Sequence, residues 1–175
     1  LFVLLAELDS GLQRYLANRP GARISNLQDI VRFNNANADI ELKHFGQELF
    51  DLALEYQAKR SDYLEARKRN ISWAEKTLDA GLNNVDVLIG CTYAPAWESS
   101  LINGDKYEGA TWITTAPAIA GTPIGTIPMG IVSGLPVGLG FVAGRDEEAK
   151  LVSAMAQAEG ALNLGVLLPT FLKKP

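Results

Sequence analysis

The feature that most constrains this chain is an apolar stretch in which glycine and proline recur among β-branched residues, from Ile124 to Gly144. Ile124–Met129 and Pro136–Ala143 read as two strands, with Gly130 and Ser133-Gly134-Leu135 between them as a hairpin-like connection. Glycine weakens a strand, so Gly125, Gly130, Gly138, Gly140 and Gly144 mark tight backbone approach or bulges. A crowded mixed sheet demands such residues, because they allow contacts and dihedral angles that a Cβ forbids.

The rest of the pattern surrounds this hairpin with helices. A first helix is expected at about Val3–Ala17, before Pro20-Gly21. Ser25-Asn26-Leu27-Gln28 reads as a capping box for a short helix with Leu27, Ile30 and Val31 on one face. Phe45, Leu49, Leu52 and Tyr56 recur at helical spacing as an apolar stripe. Ser61 is placed to cap a helix running through Leu64, Ile71, Ala74 and Leu78, with Gly81 as its stop. At Asp86 the pattern changes. Asp86–Thr92 is a short apolar run ended by Tyr93-Ala94-Pro95, as for a buried strand entering a loop, and Trp97–Thr111 follows as a long irregular segment. Arg145-Asp146-Glu147-Glu148 then opens a last helix, with Leu151, Val152, Met155 and Ala158 inward and Gly160 as terminator.

Composition narrows the function classes. With 47% hydrophobic and 21% charged residues, the 175-residue chain is that of a globular protein. A formal net charge of −4 argues against a nucleic-acid partner, and the basic runs Lys59-Arg60 and Arg67-Lys68-Arg69 share a helical pattern with Asp62 and Glu65, as a solvated face does. One cysteine, Cys91, excludes an internal disulfide; it follows an apolar run and is expected as a buried structural thiol in a reducing, cytoplasmic setting. With His44 as the single histidine, placed in a polar stretch, neither a Cys–His metal cluster nor a Ser–His–Asp triad is readily assembled. Leu1-Phe2-Val3-Leu4-Leu5 has no Met or basic flank before it and acidic Glu7 and Asp9 after it, so it reads as a chain cut inside a larger protein rather than as a signal peptide. No run approaches the roughly 20 apolar residues that span a bilayer, so no membrane partner is expected.

The segment Ala118-Ile-Ala-Gly-Thr-Pro-Ile-Gly-Thr-Ile-Pro-Met-Gly, followed by Gly134-Leu-Pro-Val-Gly-Leu-Gly-Phe, resembles the C-terminal hairpin of the amidase-signature family. Asp146–Leu151 and Ala158-Glu159 are similar to the helix that follows it there, and Asp86–Thr92 to a preceding strand, although Gly90-Cys91-Thr92-Tyr93 departs from that strand's usual ending. Phe33-Asn34-Asn35 and His44-Phe45-Gly46-Gln47-Glu48 are similar to a helical insert of one amidase subgroup. The resemblance implies hydrolysis of carboxylic amide C–N bonds by a serine–cis-serine–lysine triad, with no cofactor and no metal. One serine attacks the carbonyl, and a lysine held neutral takes its proton through the other.

That triad cannot be placed here. The chain has no Gly-Gly pair, and its one Ser-Ser pair, Ser99-Ser100, lies between Glu98 and Leu101 without the glycines an oxyanion site needs. The resemblance puts the triad upstream of Leu1, so the chain alone is expected to be inactive. Thr92, Tyr93 and Trp97, which follow a strand end, are the expected substrate-binding residues. The fold expected is α/β: a partial amidase-signature fold in one portion, residues 1–82 mainly helical and residues 83–175 a small mixed or antiparallel sheet of about three to five strands with a C-terminal helix. The expected partner is a small-molecule amide in the intact enzyme, and a homo-oligomer is left open. The alternatives are a non-catalytic α/β binding or scaffold module with Trp97–Thr111 as its contact surface, or the A subunit of a tRNA-dependent amidotransferase.

Overall fold

A computed structural model describes residues 1–105 and 112–169 of the chain. These fall into two compact units: Leu1–Arg69 with Leu101–Asn103, and Asn70–Ser100 with the residues from Gly104 onward.

The first unit is helical. α1 (Phe2–Ala17), α2 (Leu27–Ala36), the single turn α3 (Ala38–Glu41) and α4 (Glu48–Tyr56) lead into α5 (Arg60–Gly81), within which the division between the units falls. Leu5, Leu27 and Ala53, one from each of α1, α2 and α4, form its core, flanked by Leu8, Leu12, Phe50 and Tyr56. A buried carboxylate joins two of these helices. Asp9 on α1 accepts the backbone N–H of Leu27 at 2.7 Å and the side-chain amide of Gln13 at 2.6 Å. Leu27 is the first residue of α2, so the charge sits where unpaired N–H groups and the helix dipole favour an anion.

Three sequence expectations need correction in and around this unit. The cap of α2 is shifted by one residue: Asn26 accepts from the N–H of Asp29, and Asp29 reaches back to the N–H and hydroxyl of Ser25. Asn26 takes the extended dihedrals a cap requires, which leaves Ser25 outside the helix and Gln28 without the reciprocal role. The stripe on α4 is kept only in part: Leu52 and Tyr56 pack against the core beside buried Ala53, while Phe45 precedes the helix, which starts at Glu48, and Leu49 is half exposed. Ser61 lies inside α5 and donates to Asp62 rather than capping, and Leu64 is half exposed, whereas Ala74 and Leu78 are buried as expected and Ala66 is buried too. His44 is exposed, as expected, and nearby Gln47 exchanges hydrogen bonds with Asn34 at 3.0 Å and Asn35 at 2.7 Å.

The second unit is a three-stranded antiparallel sheet, in the order β1 (Leu88–Cys91), β3 (Leu135–Val142), β2 (Ile124–Val132). β2 and β3 form the anticipated hairpin, but β2 runs three residues past Met129. Ser133 (φ 49°) and Gly134 (φ 81°) alone make the turn, the left-handed pair that matches the twist of a tight hairpin. A register shift between Pro128 and Gly130 gives the anticipated bulge.

The alternation along β3 sets the two faces of the sheet. Leu139, Phe141 and Ala143 face α7 (Glu148–Leu162), where they meet Ile127, Leu151 and Met155. Val142 faces the other way, against Ala74 and Leu78 of α5, Ala120 of α6 (Thr115–Ala120) and Leu88. α7 starts at Glu148 rather than Arg145, because Asp146 takes a left-handed conformation (φ 62°). Its buried face is Leu151, Ala154, Met155 and Ala158, whereas Val152 is 61% exposed. Gly160 is helical, and the helix ends instead at left-handed Asn163. Cys91 is exposed rather than buried. Its neighbour on the same face, Ile89, is also 62% exposed, so the cover on that face stops at Val87. Among the described residues no helix is long and apolar enough to cross a membrane.

Candidate functional site

On the face of β3 that carries Val142, the two preceding inward positions are Gly140 and Gly138. Neither fills the space above it, and that space is where the expected residues converge. The N–H of Thr92 donates to the carbonyl of Gly138 at 3.0 Å, which continues the β1–β3 pairing one residue past Cys91. Its side chain then lies over β3 and meets Thr126 of β2, the two hydroxyl oxygens 2.6 Å apart. A Cβ at Gly138 would stand 2.5 Å from the Thr126 hydroxyl and 3.0 Å from that of Thr92. One at Gly140 would meet Ile113 at 2.6 Å and the backbone of Thr92 at 3.2 Å. Glycine at both positions is therefore a condition for this geometry.

Tyr93 begins the irregular segment. Its ring stacks on Trp112, with centroids 5.1 Å apart and planes 17° from parallel, and tilts toward Trp97 at 6.2 Å. Each indole is oriented by a hydrogen bond, Trp112 to the Thr115 hydroxyl at 2.7 Å and Trp97 to the Asp105 carboxylate at 3.3 Å. Offset aromatic contacts of this kind hold rings in place and leave a flat apolar surface.

Thr92, Tyr93 and Trp97 line one groove of about 550 Å3, with Thr126 and Gly138 on its floor and Pro136 and Val137 along β3. The volume suits a small organic molecule, and the lining pairs apolar walls with a few convergent polar groups. Ser99 and Asp105 also border it, but among the described residues its lining includes no lysine or histidine that could activate a serine. Residues 106–111, which the sequence assigns to the same irregular segment and which include Gly109, lie outside the described residues. Sequence reasoning missed Thr126 and Trp112. Thr126 carries a signal, as a lone hydroxyl in an apolar strand, but its meaning depends on the register that puts it opposite Gly140.

No protein-family model matches the chain. It is 33% identical, over 96% of its length, to the A subunit of the glutamyl-tRNA(Gln) amidotransferase of Exiguobacterium sibiricum. Among solved structures it is similar to PAM12A (34% identity, TM-score 0.85) and to the peptide amidase PAM in complex with the competitive inhibitor chymostatin (32%, TM-score 0.82), each over 96% of this chain. The chain spans about a third of the length of these relatives: 36% of the first and 34% of each of the other two.

Proposed function

Because this chain belongs to the amidase-signature family, as a C-terminal portion of its fold, we propose that it forms one wall of an amidase's substrate pocket. In this reading the 175 residues act as a single portion, and the serine–serine–lysine triad that cleaves the amide C–N bond lies outside them. The observation that carries the proposal is the convergence of Thr92, Tyr93 and Trp97 on one groove beside the end of β1. The aromatic pair offers a flat surface to an apolar part of the ligand, and the threonine hydroxyls offer hydrogen bonds to its polar part. Nothing in that lining has to change protonation state, so its contribution is recognition and orientation of the amide.

The ligand is a small-molecule amide, and the single cysteine fits a reducing cytoplasm. A free-standing binding or scaffold module is not favoured, since the likeness to amidase relatives extends over 96% of the chain. The amidotransferase reading rests on the name of a relative; the likeness to a peptide amidase at a TM-score of 0.82 supports hydrolysis instead. The test is substitution of Tyr93 and Trp97 by Ala in the full-length enzyme. Losing a stacking surface worth about 0.5–1.5 kcal/mol raises KM roughly two- to tenfold and alters substrate preference. Unchanged KM and preference would show that the two rings merely pack the loop.

A further inference from the structure

The floor of the groove holds two hydroxyls whose arrangement is more specific than a solvated surface requires. Thr92 lies one residue past β1 and Thr126 within β2, the strands on either side of β3, and they meet above it at 2.6 Å because Gly138 leaves the space between them open. Two hydroxyls carry two protons. One proton is used within the pair and one remains for a third group. Of the two residues Thr126 is the more exposed, so it is the one that turns outward. A hydroxyl that accepts one hydrogen bond is polarised toward donating another.

We propose that Thr92 donates to Thr126, and that Thr126 donates to a carbonyl oxygen of the bound ligand other than that of the amide being cleaved, such as the acyl carbonyl of an N-acyl amino-acid amide. Thr126 is thus a binding residue, while Thr92 and Gly138 position it. The ligand group it recognises is a neutral carbonyl. The assignment rests on the reading of the groove as the amide site.

The experiment compares full-length wild-type enzyme with Thr126→Val, Thr126→Ser, Thr92→Val, Gly138→Ala and Tyr93→Ala on a panel of N-acetyl amino-acid amides. Valine keeps the shape of threonine and removes the hydroxyl. Losing one neutral hydrogen bond made alike to bound substrate and transition state raises KM about three- to tenfold and leaves kcat within about twofold. Thr126→Ser, which keeps the hydroxyl, restores the wild-type KM. Thr92→Val gives a smaller rise. Gly138→Ala gives a rise like that of Thr126→Val although both hydroxyls are present, because the new Cβ drives them apart. If Tyr93→Ala raises KM and Thr126→Val does not, the assignment of Thr126 falls and the amide-site reading stands. A serine variant as impaired as the valine variant also overturns the assignment, since the hydroxyl is then not what matters. If wild type hydrolyses none of the panel, or neither Tyr93→Ala nor Thr126→Val moves KM, both fall together.

Discussion

Adding the same methyl group at two glycines of one hairpin has opposite predicted effects on stability. At Gly140, in the central strand, a Cβ would lie 2.6 Å from Ile113 Cγ2, 3.2 Å from the Cα of Thr92 and 3.2 Å from its hydroxyl. The isoleucine methyl can swing aside, but the backbone of Thr92 is held by its hydrogen bond to Gly138. Overpacking of this kind costs about 1–3 kcal/mol. Replacing Gly by Ala also restricts the unfolded chain, which stabilises by about 0.4–1 kcal/mol where the native dihedrals allow it. At the middle of each range the first effect is larger, so Gly140→Ala destabilises by about 1.3 kcal/mol, within a span of about 0–2.6 kcal/mol. At Gly130 a Cβ would meet nothing within 4 Å and φ is not positive, so only the second effect operates. Gly130→Ala therefore stabilises by about 0.4–1 kcal/mol. Urea denaturation followed by circular dichroism reads both as shifts of the midpoint in opposite directions. Equal shifts, or a stabilised Gly140→Ala, would refute close approach as the reason for the glycine at 140.

Other predictions concern the helices. Asp9→Ala removes a charged acceptor from the buried N–H of Leu27 and from Gln13, and costs about 2–3 kcal/mol by urea denaturation; a loss under about 0.5 kcal/mol would mean that water replaces the carboxylate. The N–H and hydroxyl of Ser25, with Arg32, hold the Asp29 carboxyl down to about 2 from its ordinary 3.8. With the folded value depressed, this contact favours the folded form above the unfolded value and is lost as pH falls through about 2. The Ser25 amide resonance should accordingly titrate near 2, and a midpoint near 3.8 would contradict the reciprocal cap. Gly160→Ala, in the last turns of α7 with open space around it, raises stability by up to about 1 kcal/mol, or less if the helix end frays.

The hairpin was legible because its signals are local: a turn glycine, apolar runs and glycines that no ordinary strand needs. Its length was underestimated because Gly130 reads as a break, although Ile131 and Val132 continue pairing with Pro136 and Leu135 beyond the bulge. Helix existence was likewise legible, but the inward faces at Leu49, Leu64 and Val152 were not. Those faces depend on where each helix begins and on what packs against it, and at Ala53 and Ala74 a small residue is buried where a larger one nearby stays out. α6 was missed, since six residues containing Pro117 show no helical period. That Thr92, Tyr93 and Trp97 share one groove was legible from their position after a strand end. Thr126 is distant in sequence from Thr92, and Trp112 props Tyr93 from beyond the irregular segment, so only pairing and chain return reveal them.

That this chain contributes recognition and not chemistry is tested most directly by measuring ammonia release from N-acetyl amino-acid amides with the purified 175-residue chain beside the full-length enzyme. The expected result is release by the full-length enzyme and none above background by the chain. Hydrolysis by the chain alone would contradict it, because it would require an activated nucleophile within a lining where, among the described residues, Ser99 has no lysine or histidine beside it.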